Sequence, residues 1–164
     1  MRTFTAVVVA ILAATLVPVA LFGLYWTFVE GESGVRLLPL ALVVASLICL
    51  GHVLILGVPA AAWLLRRRRF TVPQMMALGA IVGSLPFAIW AQPYKYVGTL
   101  SSSYSNGEWK LINGMPTAAG WIDYAQFVGV VAVLGACGGA AFCLAYRSIS
   151  ANNSSKPTPL RGAA

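Results

Sequence analysis

Apolar residues in this chain run rather than alternate. Four stretches, approximately residues 4–28, 37–65, 72–91 and 121–146, are almost free of charge. Crossing a hydrocarbon core of about 30 Å takes roughly 20 helical residues. A barrel strand would instead alternate polar and apolar positions. Continuous apolarity of this length therefore predicts four transmembrane helices, a form in which each segment satisfies its own backbone polar groups. The second stretch is longer than a span requires, which predicts tilt, a kink near Pro59 or projection beyond the bilayer. The first exceeds the roughly 7–15 apolar residues of a cleaved leader, so it reads as a retained span despite a small-x-small pattern at Val17 to Ala20.

Between the third and fourth stretches lies the one sizeable polar segment, residues 92–120. Asn106-Gly107 is the favoured pair for a tight primed turn. The flanking VGTLSSSY and EWKLING have the composition of short antiparallel strands. Asn113-Gly114 followed by Met115-Pro116 predicts a further turn into the last helix. So small a hairpin needs support from the helices or a partner. After Tyr146 the sequence RSISANNSSKPTPLRGAA loses apolar periodicity, and 147–164 is expected to be a disordered cytoplasmic tail. The expected fold is an all-α membrane protein: one domain over 1–146, a four-helix transmembrane bundle whose short extracytoplasmic loop is suited to a β-hairpin.

Composition agrees with the pattern. The hydrophobic set makes up 59% of the 164 residues and charged residues only 9%, against about 25% charged in soluble domains. The charges also sort by side. Arg2, Arg66, Arg67, Arg68, Arg69, Arg147, Lys156 and Arg161 fall on one side with no acid among them. Arg36, Lys95 and Lys110 fall on the other, with Glu30, Glu32, Glu108 and Asp123. Basic residues mark the cytoplasmic side, which predicts a membrane protein with both termini inside. The net charge of +7 is then a topology signal rather than a sign of nucleic-acid binding. Arg66 to Arg69 are also placed to contact anionic lipid head groups. Tyr25, Trp26, Trp90, Tyr94, Trp121 and Tyr124 collect at the predicted outer boundary, and Trp63, Phe70 and Tyr146 at the inner one, the levels such rings favour.

Lipid gives helices no hydrophobic reason to associate, so small residues decide where they approach closely. In the third span Gly79, Gly83, Pro86 and Trp90 share a face, with Pro86 able to bend the helix. In the fourth, Ala132, Gly135, Ala136, Gly139, Ala140 and Cys143 form a broad small face, leaving Val131, Leu134 and Phe142 for lipid. The two small faces are expected to pack together through Gly79 and Gly83 against Gly135 and Gly139.

The single histidine, His52, sits midway along the second span. An imidazole at that depth should face protein and needs hydrogen-bond partners. Thr15, Ser84 and the Ile55 carbonyl, which Pro59 deprives of its helical donor, are the candidates. His52 is thus a candidate polar site, structural or functional. Cys49, Cys137 and Cys143 lie within spans without metal-ligand spacing and read as small apolar side chains. Glu108 and Asp123 could form a carboxylate pair, but acids at a water boundary are usually solvated. Asn152 and Asn153 begin sequons on the cytoplasmic side, where no glycan is added. No hydrolase, zinc, P-loop or dinucleotide motif is present in the sequence, so neither enzymatic activity nor a cofactor is expected.

Three stretches, GHVLILGVP…LLRRRR, ALGAIVGSLPFAIW and NGMPTAAGWIDY, together resemble a group of small four-span proteobacterial inner-membrane proteins. The resemblance covers about residues 40 to 145. It implies location and helix count, and carries no activity or site residue with it. Two function classes follow from the sequence. One is a non-enzymatic subunit, scaffold or immunity-type protein that binds a membrane partner. The other is a minimal oligomeric transporter or channel with its path near His52.

Overall fold

The computed structural model describes residues 2–66 and 70–154, with side chains except at 2–3, 29–35 and 152–154. Arg67, Arg68, Arg69 and the tail from residue 155 lie outside it. Within these limits the chain is almost all helix. Helix α1 spans Arg2–His52, a π-helical segment covers Val53–Gly57, and α2 spans Val58–Arg66. They are followed by α3 (Val72–Trp90), a short 3₁₀ turn (Pro93–Tyr96), strands β1 (Ser103–Ser105), β2 (Glu108–Ile112) and β3 (Met115–Pro116), and α4 (Ala118–Ser154). Four helical stretches are long and apolar enough to cross a membrane: Phe4–Phe28, Arg36–Arg66, Val72–Tyr96 and Ala118–Ala151.

The first two of these stretches are not separated by a loop, as the sequence pattern implied. Helical backbone continues from one to the other through 29–35. Yet a Cβ on Gly23 would lie 3.0 Å from Leu42 Cδ2, whereas 19 residues of straight helix would part them by about 28 Å. The element therefore doubles back between these residues. We call Phe4–Phe28 its first limb and Arg36–Arg66, which includes the π segment and α2, its second.

The π segment has a local cause. Pro59 has no N–H to give the Ile55 carbonyl, so α-helical bonding fails one turn before it. The Val58 N–H reaches back to the Val53 carbonyl, the five-residue spacing of a π turn. Tilt, a kink near Pro59 or projection beyond the bilayer was expected of this long stretch; the π turn just upstream of Pro59 was not.

Helix α4 packs most extensively against α3 and next against α1. On the α3 side, a Cβ on Gly79 would run into the Gly135 carbonyl and lie 3.1 Å from Gly139 Cα, and one on Gly83 would lie 3.2 Å from Gly135 Cα. On the α1 side, Ala6, Ala10 and Ala14 are buried at four-residue spacing, and Gly138 comes against the Ala14 carbonyl and Pro18. That alanine stripe is a third small face, readable in the sequence by the spacing used for the glycines. Phe142, assigned to lipid above, is instead buried in the cluster of Ala10, Ala14, Ala61, Leu64, Met75 and Cys143, because seven residues place it within about 20° of Gly135, on the covered side of α4. Val131 and Leu134, assigned to lipid with it, are half-buried, and Val133 and Leu144, on the opposite side of the helix, are exposed instead.

Beyond α3 the polar segment folds into a three-stranded antiparallel sheet in the order β1-β2-β3. Asn106 and Gly107 take φ of 51° and 80° in the first turn, and Asn113 and Gly114 take 48° and 78° in the second. Both are two-residue turns with two positive φ values, which Asn-Gly supplies at least strain. The second turn thus makes another hairpin instead of leading directly into the helix. Helix α4 also runs to Ser154, so residues 147–154 are helical rather than disordered. Ser148 Oγ donates to the Leu144 carbonyl (2.9 Å), and Arg147 donates from its guanidinium to the Phe70 carbonyl (2.6 Å).

Candidate functional site

The second limb is the most loosely packed of the four spanning stretches. Ala61 and Leu64 are buried near one end, and Leu42 meets Gly23 toward the other. None of its most apolar 18-residue window is buried. The space so left is a cavity of about 530 Å³ walled by both limbs, α3 and α4. Its lining is apolar except at His52, with Phe22, Ala41, Phe87, Phe127 and Gly135 representing the four walls.

His52 sits in that wall at the last residue of α1, where the π segment begins. Its ring stacks on Phe87 of α3, with centroids 5.7 Å apart and planes at 11°. Nδ1 lies 2.8 Å from the Ile48 carbonyl oxygen. A carbonyl can only accept, so the proton of this bond is on Nδ1. Two of the three candidate partners named from the sequence, the side chains of Thr15 and Ser84, are engaged elsewhere. Thr15 donates to the Ile11 carbonyl (3.0 Å) and Ser84 to the Ala80 carbonyl (2.7 Å), each one turn back on its own helix. Short hydroxyls commonly bond in this way within helices. Among the described residues, no acid, lysine or arginine lines the cavity. The arrangement can hold an apolar body against a flat aromatic wall, and offers no chain of groups to pass a proton.

The carboxylates considered above are brought together, but on a cation. Lys110 Nζ lies 3.1 Å from Asp123 Oδ1 and 3.2 Å from Glu108 Oε2. The β1-β2 register explains how. Tyr104 pairs with Trp109 and Ser103 with Leu111, so Lys110 is an extra residue on β2, and such bulges re-aim a side chain. The hydrogen bond to Asp123, reinforced by that to Glu108 and by both negative charges, holds the Lys110 ammonium above its ordinary value against the opposing effect of desolvation.

Thr117 completes the attachment, a role the sequence reading missed. It caps α4, accepting from the Gly120 N–H at 3.1 Å, and its hydroxyl donates to the Trp109 carbonyl at 2.5 Å. The signal was a threonine just ahead of an apolar helix, obscured by starting the span at Trp121. Tyr124 adds a hydroxyl bond to the Ala88 carbonyl (2.8 Å), joining the outer ends of α3 and α4.

At the other end, Phe70 packs on Tyr146 and Phe142 at 5.3 and 6.3 Å. Arg66 is exposed there. Pro86 lies within α3, and no break in the helix follows it. Among the described residues no group of three or more His, Cys, Asp or Glu side chains is placed to hold a metal. No protein-family model, curated protein or solved structure matches this chain.

Proposed function

We propose that this chain is a non-enzymatic, four-helix integral protein of the bacterial inner membrane, with both termini in the cytoplasm, that binds a membrane-protein partner as a subunit, scaffold or immunity-type protein. The observation that carries the reading is the second limb. The small faces of α3 and α4 are spent on each other and on the first limb, so they are not free to recruit another protein. The second limb, in contrast, turns Val43 and Leu47 outward, 58% and 66% exposed, away from the cavity. An oligomeric transporter or channel with a path at His52 is less well supported, because conduction routes usually carry ionisable groups or interrupted helices around a polar site. The π turn does interrupt the helix, but its surroundings are apolar.

Photo-cross-linking in cells tests this reading. A photoreactive residue at Val43 or Leu47 should give one discrete heterologous adduct, the same from both positions and absent from Val133 on α4. Adducts consisting only of further copies of the chain would overturn the proposal in favour of the oligomeric transporter or channel. No protein adduct from either position would overturn partner binding through this limb.

A further inference from the structure

The cavity has a shape as well as a lining. On α4 its wall runs from Phe127 to Phe142, about 22 Å of helix. A volume of about 530 Å³ spread over that length is a slot roughly 5–6 Å across. A helix with its side chains needs about 10–12 Å, so another transmembrane segment does not fit. Water is not its natural filling, because apolar cavities stay dry. A single hydrocarbon chain does fit, since its carbons pack against a wall at about 4 Å.

The two ends of the slot differ. One is closed by Met75 and Phe142, both buried in the core cluster. The other reaches Trp26 and Leu37, at the edge of the apolar limbs, where the neighbouring Arg36 is exposed. An apolar slot closed at depth and flanked by a cation at head-group level is complementary to a lipid: the chain lies inside and the phosphate stays outside beside the guanidinium.

From this we propose that the slot between the second limb and α3–α4 holds one acyl chain of an anionic membrane phospholipid, which enters from the leaflet at the Trp26–Leu37 end. The bound chain supplies the packing that the second limb lacks and lies along the His52–Phe87 wall. This inference rests on the membrane placement proposed above, but not on the protein partner.

The test uses the full chain, purified in mild detergent, washed free of loosely held lipid and analysed by lipid extraction and native mass spectrometry. Wild type should retain phospholipid, with phosphatidylglycerol enriched over phosphatidylethanolamine relative to the source membrane. Ala41→Phe and Ala45→Phe, which fill the slot from the second limb, should each lower retention about fivefold or more without lowering the melting temperature. Val43→Phe, on the outward face of the same limb, should leave it unchanged. Arg36→Gln should reduce the enrichment in phosphatidylglycerol. Absence of phospholipid from the wild type would overturn the proposal, as would undiminished retention in both filling variants. So would a fatty acid or isoprenoid retained in place of phospholipid. Loss of the cross-linked partner would leave these readouts unmoved, and loss of bound lipid would leave the cross-link to be judged separately.

Discussion

Gly83 and Gly139 both lie in the α3–α4 contact, but they meet different obstacles. A Cβ at Gly139 would strike the Met75 backbone carbonyl, which cannot move without its helix. A Cβ at Gly83 would find Gly135 Cα at 3.2 Å, a distance that a shift of a few tenths of an ångström relieves. Alanine also recovers about 0.5–1 kcal/mol of backbone entropy over glycine in a helix. Gly139→Ala should therefore destabilise by about 1–3 kcal/mol, the usual cost of overpacking, while Gly83→Ala should be close to neutral. Unfolding in mixed micelles by titration with dodecyl sulfate reads both. A neutral Gly139→Ala, or a larger cost at Gly83 than at Gly139, would contradict this geometry. At this scale the sequence was informative where spacing alone decides. Four-residue repeats of small side chains located Gly79, Gly83, Gly135 and Gly139, and the same rule applied to Ala6, Ala10 and Ala14 would have located the first limb. It was uninformative about His52, because whether Thr15 and Ser84 are free depends on bonds made within their own helices.

The elements divide in the same way. Apolar length located all four spanning stretches, and Asn106-Gly107 located the first hairpin through the backbone conformation that pair accepts. The second hairpin was hidden because β3 has only two residues, too few for any period. The extension of α4 to Ser154 was hidden because polar residues end an apolar run without ending a helix. The slot was beyond reach, since it arises from how far one limb stands from the others, and nothing periodic encodes that. The sheet yields a prediction of its own. Lys110 binds protons more tightly when the sheet is docked on α4 than when it is released, since its pKa is raised in the folded state. Its contribution is therefore complete below the ordinary lysine value of 10.5 and is lost as pH rises through the raised one. Amide exchange in β2, compared between neutral and strongly alkaline pH at matched intrinsic rate, should show protection lost only on the alkaline side. In Lys110→Met that step should be absent. An identical alkaline step in the variant would assign the transition to another group.

For the molecule as a whole, charge and contact point to the same two ends. Arg147, at the far end of α4, bonds the Phe70 carbonyl just after the second limb, so two elements carrying the unbalanced basic charge meet at one pole. At the pole formed by the sheet, Lys110 is paired with both Glu108 and Asp123, so its charge is more than balanced there. Retained cations near span ends set orientation, whereas acids contribute little. In the sequence, eight basic residues flank the spans on one side against three on the other, which supports the proposed orientation with the first side in the cytoplasm. Alkaline phosphatase fused after Ser33, or placed in the Asn106-Gly107 turn, should then be active, because the proposed orientation exports both positions. Green fluorescent protein should fluoresce when fused after Arg69 or at the C-terminus. Replacing Arg66, Arg67, Arg68 and Arg69 together should weaken the bias and give mixed signals at every site. Activity of alkaline phosphatase after Arg69 in the unaltered chain would reverse the orientation and move the phospholipid slot's open end to the opposite leaflet. The packing of α3 on α4 would be unchanged, since it depends on the glycine faces and not on which side the charges lie.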